Sequence, residues 1–529
     1  MVIRSPFPDV DIPDVSLTEL ALARAAELGD KPAFVDAPSG RAITYAELAD
    51  SVRSTASGLA ERGFGKGDVL AHYAPNSPEY AVAFHAVARL GGVNTTANPA
   101  LTVDELTTQL SDSAARLLVT TPELLEKATA AARNAGVEEI FVYGEAGGAT
   151  PFASLALAGG EPPDVPIDAA EDLVALPYSS GTSGLPKGVM LTHRNLVANI
   201  CQMTAHSRAD DDRVIAVLPF FHIYGLVVLM NLSLYRGVTV VTMPRFDLAQ
   251  FLLAVQDYRI TRAYVVPPIV LALVKHPLVD EFDLSSLEFI NSGAAPLSAE
   301  LEAACGRRLG CQMQQGYGLT ETSPTTHWVT DESEWQKAGS IGPPLPNTEC
   351  RVVDVVTGED VAGDAPGELL IRGPQVMKGY LNNLEATART IDRDGWLHTG
   401  DIASIDPDGS MRIVDRLKEL IKYKGYQIAP AELEALLLTH PAIVDAAVIP
   451  LPDEEAGEVP KAFVVASAPI ASDEVIEFVA EHVAPYKTVR AVEIVEEIPK
   501  SPSGKILRRV LIERQRTAPN REVIHRGSH

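Results

Sequence analysis

Tyr178-Ser-Ser-Gly-Thr-Ser-Gly-Leu-Pro-Lys-Gly-Val-Met-Leu-Thr192 is the stretch on which the reading of this chain turns. It follows a short apolar run, Leu173 to Leu176, that reads as a buried strand. Ser180, Thr182 and Ser183 alternate with Gly181 and Gly184, so the backbone can curl and present its N–H groups outward. Lys187 then adds a point positive charge. Such a loop suits a polyanion, in particular the β- and γ-phosphates of a nucleotide. It is not a Walker A loop, because Pro186 stands where that pattern has Gly before Lys. Taken alone, the same residues would also make a flexible surface loop, so the rest of the chain must decide.

At 529 residues the chain is too long for one core and predicts at least two domains. Apolar residues make up 46% and charged residues 22%, ordinary proportions for a globular protein. A formal net charge of −26 argues against a nucleic-acid or anionic-membrane partner, which would call for basic surface. Cys201, Cys305, Cys311 and Cys350 have neither metal spacing nor a disulfide pattern, which fits a reducing, cytoplasmic setting. The N-terminal residues carry no apolar signal segment. Val214 to Tyr235 is uncharged and long enough to raise a membrane span, but Pro219, His222, Gly225 and Asn231 interrupt it. It reads as buried core beside a site.

Strand-like runs at Val69–Tyr73, Leu117–Thr120, Glu139–Tyr143, Val238–Thr242, Ala263–Val266 and Phe289–Asn291 alternate with helical patterns. The helices are expected at 17–28, 44–62, 78–90 and 248–258, with capping boxes at Ser16/Glu19 and Thr44/Glu47. Such alternation predicts parallel sheets flanked by helices. After about residue 340, short strands separated by turns such as Asp406-Pro-Asp-Gly predict a smaller β-rich part, expected as a barrel. A small α/β region follows, with helices at 430–438 and 472–483 and strands at 444–451 and 461–466. The expected division is 1–415, 416–518 and a tail at 519–529.

Five further motifs could carry chemistry. In Gln315-Gly-Tyr-Gly-Leu-Thr-Glu, the glycines around Tyr317 let a flat base approach the backbone and stack on the ring. Thr320 can donate to a phosphate oxygen, and Glu321 is a hard oxygen ligand suited to Mg²⁺. Ser292-Gly-Ala-Ala-Pro-Leu is a small-residue turn that tight packing alone would explain. Asp401, in Thr399-Gly-Asp, can accept from two ribose hydroxyls, although a turn Asp is the plainer reading. Asp415-Arg-Leu-Lys-Glu-Leu-Ile-Lys-Tyr-Lys-Gly-Tyr-Gln has the charge density of a solvated helix. Pro499-Lys-Ser-Pro-Ser-Gly-Lys-Ile-Leu-Arg-Arg places Lys505 after a Gly-hinged turn, in what would otherwise be basic surface.

Together these motifs, in this order from Tyr178 to Lys505, resemble the acyl-adenylate-forming superfamily of acyl-CoA synthetases, beetle luciferases and peptide-synthetase adenylation domains. Pro219-Phe-Phe-His-Ile-Tyr, Val266-Pro-Pro-Ile-Val, Ser292-Gly-Ala-Ala-Pro-Leu and Leu417-Lys-Glu-Leu-Ile-Lys-Tyr-Lys-Gly-Tyr-Gln look most like 4-coumarate–CoA ligases of bacterial type. The implied fold is α/β: a large N-terminal domain of two parallel-type subdomains and a β-rich barrel subdomain, hinged to a small mobile α+β domain. Amino-acid-activating relatives carry an Asp after the aromatic of the Phe221-His222-Ile223 loop, and Ile223 leaves an ammonium no partner. Medium- or long-chain fatty acyl-CoA ligases and luciferase-like adenylating enzymes remain as alternatives. A nucleotide-binding regulator without turnover is disfavoured by the presence of both Lys422 and Lys505.

The resemblance implies two steps on a small-molecule carboxylic acid with ATP, Mg²⁺ and coenzyme A, in a monomer or homodimer. Lys505 would bridge the carboxylate and α-phosphate, with Ser179, Ser180, Gly181, Thr182, Ser183, Gly184 and Lys187 on the pyrophosphate. Thr320 would serve the α-phosphate and Glu321 the metal. Gly293, Ala294, Ala295, Pro296, Gln315, Gly316 and Gly318 would bind the cofactor, Tyr317 the adenine, and Asp401 with Arg416 would hold the ribose. A swing about Lys418 would then exchange Lys505 for Lys422, Lys424, Gly425 and Gln427. His222, Tyr224, Gly225, Ser292, Gly318, Pro324 and Thr325 would line the acyl site, with Gly225 and Gly318 leaving room for a ring. Val227 stands where many plant relatives carry Asn, and Thr325-Thr326 replaces an apolar pair. Cinnamate is therefore expected to compete with 4-coumarate.

Overall fold

The computed structural model describes residues 2–158, 160–179, 186–205, 212–329, 337–361, 364–406, 409–424, 426–453, 456–502 and 504–517. Ser180, Gly181, Thr182, Ser183, Gly184, Gly425 and the expected tail at 519–529 lie outside them. The chain forms two compact units. The first comprises 1–293, 300–351 and 370–398, and the second 294–299, 352–369 and 399–529. The division expected at 415/416 falls inside the strand Met411–Arg416, because packing groups the strand residues from Thr399 onward with the C-terminal unit.

The first unit holds two eight-stranded sheets. One runs Gly379–Tyr380, Lys187–Thr192, Leu173–Ser179, Val93–Thr96, Val69–Tyr73, Ala115–Thr120, Glu139–Val142, Thr150–Pro151. The other runs Thr325–Trp328, Gln312–Gly318, Phe289–Ser292, Arg262–Val265, Arg213–Ala216, Thr239–Thr242, Pro32–Asp36, Ala42–Thr44. Most pairings are parallel; antiparallel strands close both edges of the second sheet and the Gly379–Tyr380 side of the first, whose other edge strand, Thr150–Pro151, is parallel. Runs such as Val69–Tyr73 are buried at every position, as a strand covered on both faces requires.

Local signals set the helices. Ser16 and Glu19, and Thr44 and Glu47, form the expected capping boxes, satisfying backbone donors that a helix start leaves open. Tyr45–Glu61 buries Leu48, Val52, Ala56 and Leu59 along one face. The single helix expected over 17–28 is two short ones, Leu17–Ala21 and Ala25–Leu28, with turn residues between. Residues 214–235 form a strand, a loop, a π-helical segment at Gly225–Asn231 and a helix at Leu232–Arg236, nearly all buried. No helix among the described residues is long and apolar enough to cross a membrane.

The β-rich part is a five-stranded sheet running Ile3–Arg4, Glu349–Val353, Gly367–Arg372, Leu397–Ile405, Met411–Arg416, with different strands at its two ends. In the second unit, Tyr426–Ile428, Ile421–Tyr423, Gly457–Ala466 and Ile443–Asp453 form a further sheet, which Ala491–Ile494 joins. Leu433 and Leu437 of the helix Pro430–Thr439, and Val475 and Val479 of Ser472–His482, pack in its core. The charged segment after Asp415 is not a helix. It ends one strand at Arg416, turns through Leu417–Glu419 and starts another at Ile421.

Four histidines of the first unit are fully buried, and burial holds each in its neutral form. His72 and His193 fall to about 4, the latter against the pull of Asp172 and Glu19, and His85 and His327 fall to about 3. Unfolded histidines bind protons below about pH 6.5, whereas these fold neutral, so the unfolded state takes up more protons between 6.5 and 4. Each histidine thus removes up to about 1.4 kcal/mol of stability per pH unit as the pH falls through that window. The melting temperature should drop between pH 7 and pH 5, and His85→Gln should show a shallower pH slope. An unchanged slope in the variant would refute the assignment for His85.

Candidate active site

Leu173–Ser179 and Lys187–Thr192 pair antiparallel with Ser179 opposite Lys187, so these two residues flank the Gly/Ser loop. Lys187 is the first residue of a strand rather than a loop residue. The Gln315–Gly318 segment ends a parallel strand, and Thr320–Thr322 makes a single 3₁₀ turn behind it. That turn places Glu321, nearly buried, against the hairpin: Ser179 Oγ donates to Glu321 Oε1 at 2.9 Å. Tyr380 OH donates to the same oxygen at 2.9 Å, and Lys187 Nζ lies 4.5 Å from the centre of the Tyr380 ring. A buried carboxylate, a lysine and two hydroxyl donors thus converge beside the loop, a charge set suited to a metal-bound polyphosphate. Both hydroxyls donate to Oε1 of Glu321, so its Oε2 would be open to a hard cation such as Mg²⁺.

A second group lies at the carboxyl ends of the other sheet's strands, where α/β folds place ligands. Asn76, buried, donates to the carbonyls of Ala216 and Leu218 and accepts from Phe220 N–H, while Thr96 Oγ1 donates to Phe221 O. These bonds fix the Pro219–Tyr224 loop. His222, partly exposed, accepts from Tyr224 N–H at Nδ1. Tyr224 OH donates to Asn291 Oδ1 at 3.1 Å, and burial drives its phenol pKa well up, so it stays a donor. An added Cβ on Gly293 would stand 2.9 Å from the Tyr224 ring, so the ring lies directly on Gly293. Asn199 clamps Thr325 from both sides, donating to its carbonyl at 2.6 Å and accepting from its N–H at 3.1 Å. Ser292 Oγ, Asn291 Nδ2 and both amide atoms of Gln314 are buried without a hydrogen-bond partner among the described residues. Asn291 and Gln314 are register partners on parallel strands, so they share a face.

The structure gives Gly225 and Gly318 a different reason from ring space. A Cβ at Gly318 would meet the Pro324 carbonyl oxygen at 1.9 Å, and one at Gly225 the Pro219 oxygen at 2.1 Å. Both are close backbone approaches. Gln315 Nε2 donates to Glu302 Oε2 at 2.6 Å, and Tyr317 meets His327 edge-on at 5.8 Å. Asp283 accepts from Ser285 N–H in a turn that leads towards the strand Phe289–Ser292.

In the second unit, Asp401 and Arg416 face each other across adjacent antiparallel strands, with Arg416 Nε 3.4 Å from Asp401 Oδ1. The two ribose candidates, fifteen positions apart, are therefore neighbours. Gly400, at φ 68°, makes the bend before Asp401. Ala294, at φ 71°, opens the small-residue turn that continues through Ala295 and Pro296. Lys418 lies in the turn after Arg416, and Lys422 pairs with Gln427 across the hairpin that also carries Lys424. Lys505 sits on a tight loop closed by Ser501 N–H to Lys505 O and Leu507 N–H to Pro499 O. Arg508, three residues on, is not surface: its guanidinium grips both Glu434 oxygens at 2.7 Å and Glu419 at 2.6 Å.

A model described as "AMP-binding enzyme" matches residues 22–381, and "AMP-binding enzyme C-terminal domain" matches 432–505. The chain belongs to the AMP-binding enzyme family. It is 44% identical over 524 residues to 4-coumarate–CoA ligase 5 of Oryza sativa subsp. japonica, covering 96% of each chain. It is 45% identical to 4-coumarate–CoA ligase 1 of Solanum tuberosum, covering 97% of this chain and 96% of the relative. The fold matches ATP-bound MatB from Rhodopseudomonas palustris with TM-score 0.85 at 30% identity, over 95% and 99% of the two chains. It also matches the anthranilate CoA ligase AuaEII in complex with anthranoyl-AMP, with TM-score 0.87 at 26% identity, over 96% and 98%.

Within this AMP-binding enzyme, sequence reasoning missed Tyr380, Asn76, Thr96, Asn199 and Asn291. Each lies outside the glycine-rich motifs, and each acts on a loop distant in sequence. Gly318→Ala should cost roughly 2 kcal/mol or more through overpacking against the Pro324 carbonyl. A lowered melting temperature would confirm backbone packing as its role. A changed KM for the acid with unchanged melting would instead restore the ring-space explanation.

Proposed function

We propose that this chain is an AMP-forming acid–CoA ligase that activates a hydroxycinnamate-type carboxylate as its acyl-adenylate and transfers the acyl group to coenzyme A. The observation that carries the reading is near-full-length similarity to 4-coumarate–CoA ligases, together with the convergence of Ser179, Lys187 and Glu321. In the first step the carboxylate oxygen attacks the α-phosphorus of Mg·ATP and pyrophosphate leaves. A carboxylic acid is already ionised at pH 7, so the step needs charge neutralisation and alignment rather than a base. Ser179 and Lys187, with residues 180–184, hold the departing pyrophosphate, while Glu321 holds the Mg²⁺ carried with it. Thr320 serves the α-phosphate, Tyr317 the adenine, and Asp401 with Arg416 the ribose. Lys505 bridges the carboxylate and α-phosphate.

In the second step the CoA sulfur attacks the acyl carbon, AMP leaves with the bonding pair, and the thiol proton is lost. A turn at Lys418 is the hinge, the residues after it are the moving part, and the hairpin of Lys422, Lys424 and Gln427 replaces Lys505. Lys505→Ala should then lower pyrophosphate formation about 100-fold or more and spare thioester formation from supplied acyl-adenylate. Lys422→Ala, or Lys418→Pro, which fixes φ in the turn, should do the reverse. Equal loss of both half-reactions in either class would sink the two-arrangement mechanism. A cytosolic location and a monomeric or homodimeric state accompany this reading.

The acyl site is tuned by Tyr224, Pro324 and Thr325, with His222 near the reacting carboxyl. Val227 lies fully buried in the π-helical segment and offers no partner to a ring hydroxyl, while Tyr224 OH is already committed to Asn291. Cinnamate should therefore compete with 4-coumarate rather than lose by the several kcal/mol a dedicated hydroxyl site imposes. A comparison of kcat/KM for cinnamate, 4-coumarate, caffeate and octanoate decides it. Clear preference for octanoate would make the chain a fatty acyl-CoA ligase.

A further inference from the structure

Tyr380 joins two groups that would otherwise be drawn to each other. Its hydroxyl donates to Glu321 Oε1 and its ring face carries the Lys187 ammonium, 4.5 Å from the ring centre. Its position is set by backbone on both sides. Gly379–Tyr380 pairs antiparallel with the strand Lys187–Thr192, with Tyr380 opposite Val189. Lys378 N–H donates to Met190 O and Leu381 N–H to Gly188 O, while Met377 N–H donates to Glu321 O. One short segment therefore stitches the lysine-bearing strand to the turn that bears the carboxylate. The Tyr380 side chain touches both charges, one through its hydroxyl and the other through its ring face.

A lysine and a buried carboxylate on adjoining elements would gain by closing into an ion pair, which would spend both charges on each other. Among the described residues no ion pair joins Lys187 to Glu321. The aromatic face gives the ammonium a weaker, non-directional hold that a phosphate can displace. The hydroxyl donates to one carboxylate oxygen and so aims the carboxylate. Ser179 supplies the second donor to the same oxygen.

We propose that Tyr380 is a positioning residue of the adenylation step, holding Lys187 and Glu321 apart so that one meets the polyphosphate and the other its metal ion. This rests on the adenylation reading above. Two functions ride on one side chain and separate by substitution. Tyr380→Phe keeps the ring under Lys187 and loses the bond to Glu321. Tyr380→Leu loses both.

The test is pyrophosphate release from ATP and 4-coumarate or cinnamate, titrated in Mg²⁺ and then in ATP at saturating Mg²⁺. Tyr380→Phe should raise the half-maximal Mg²⁺ concentration about tenfold, the range for removing an outer partner of a metal ligand, with KM for ATP nearly unchanged. Tyr380→Leu should raise KM for ATP as well. In Glu321→Gln, adding Tyr380→Phe should cause no further shift in the Mg²⁺ requirement. Both tyrosine variants should still convert supplied acyl-adenylate and CoA to thioester, which also reports that they fold. An unchanged Mg²⁺ requirement in Tyr380→Phe overturns the proposal, and so does equal loss of both half-reactions. A wild-type protein that releases no pyrophosphate with any carboxylate would overturn the adenylation reading itself, and the positioning role with it.

Discussion

The demand that buried loops find partners for their backbone groups organises this protein. A parallel sheet leaves its connections at the strand ends, and here those connections fold into the interior instead of lying in water. Carboxamides meet the demand. Asn199 takes both the N–H and the carbonyl of Thr325, Asn76 holds three backbone groups between Ala216 and Phe220, and Asn195 donates to Pro374 O and Val376 O. An amide carries donor and acceptor at a fixed separation, so each of these side chains can satisfy and orient a loop together. An apolar residue of like size would leave buried peptide groups unpaired, at roughly 1–3 kcal/mol each.

The same economy governs charge. The chain carries a net charge of −26, yet its proposed substrates ATP and coenzyme A are anionic, so a few cations must dominate their own surroundings. Lys187 rests on an aromatic face and makes no ion pair among the described residues, which keeps its charge available. Arg508 is used in the opposite way. Its guanidinium is spent on Glu434 and Glu419, tying the segment after Lys505 to the helix Pro430–Thr439 and to the turn that carries Lys418. A charge held by carboxylates builds structure, and a charge held by a ring awaits a ligand.

The candidate site residues divide between the two compact units. The hairpin, Glu321 and the acyl loop belong to the first, while Asp401, Arg416 and the three lysines Lys418, Lys422 and Lys505 belong to the second. Lys418 stands on a turn, Lys505 on a tight loop, and Lys422 on a hairpin that the strand Gly457–Ala466 joins.

Much of this was legible in the amino-acid order. Glycine-rich motifs, capping boxes and apolar runs are local signals, because a turn, a helix start or a buried strand is decided by a few adjacent residues. They sufficed for the two mostly parallel sheets, and they singled out the segment between Ser179 and Lys187, Lys422 and Lys505 as candidates. Charge density misled at Asp415–Lys422, where a helical reading met a strand, a turn and a strand, since Leu417 and Leu420 are drawn into a small core with Ile402, and Ile421 into the core of the C-terminal sheet. Tertiary structure alone decided that Asp401 lies opposite Arg416, that Gly318 is there for the Pro324 carbonyl, and that Tyr380 reaches Glu321 fifty-nine positions away. Such pairings carry no local signature, because they are fixed by how separate strands register rather than by what any one strand prefers.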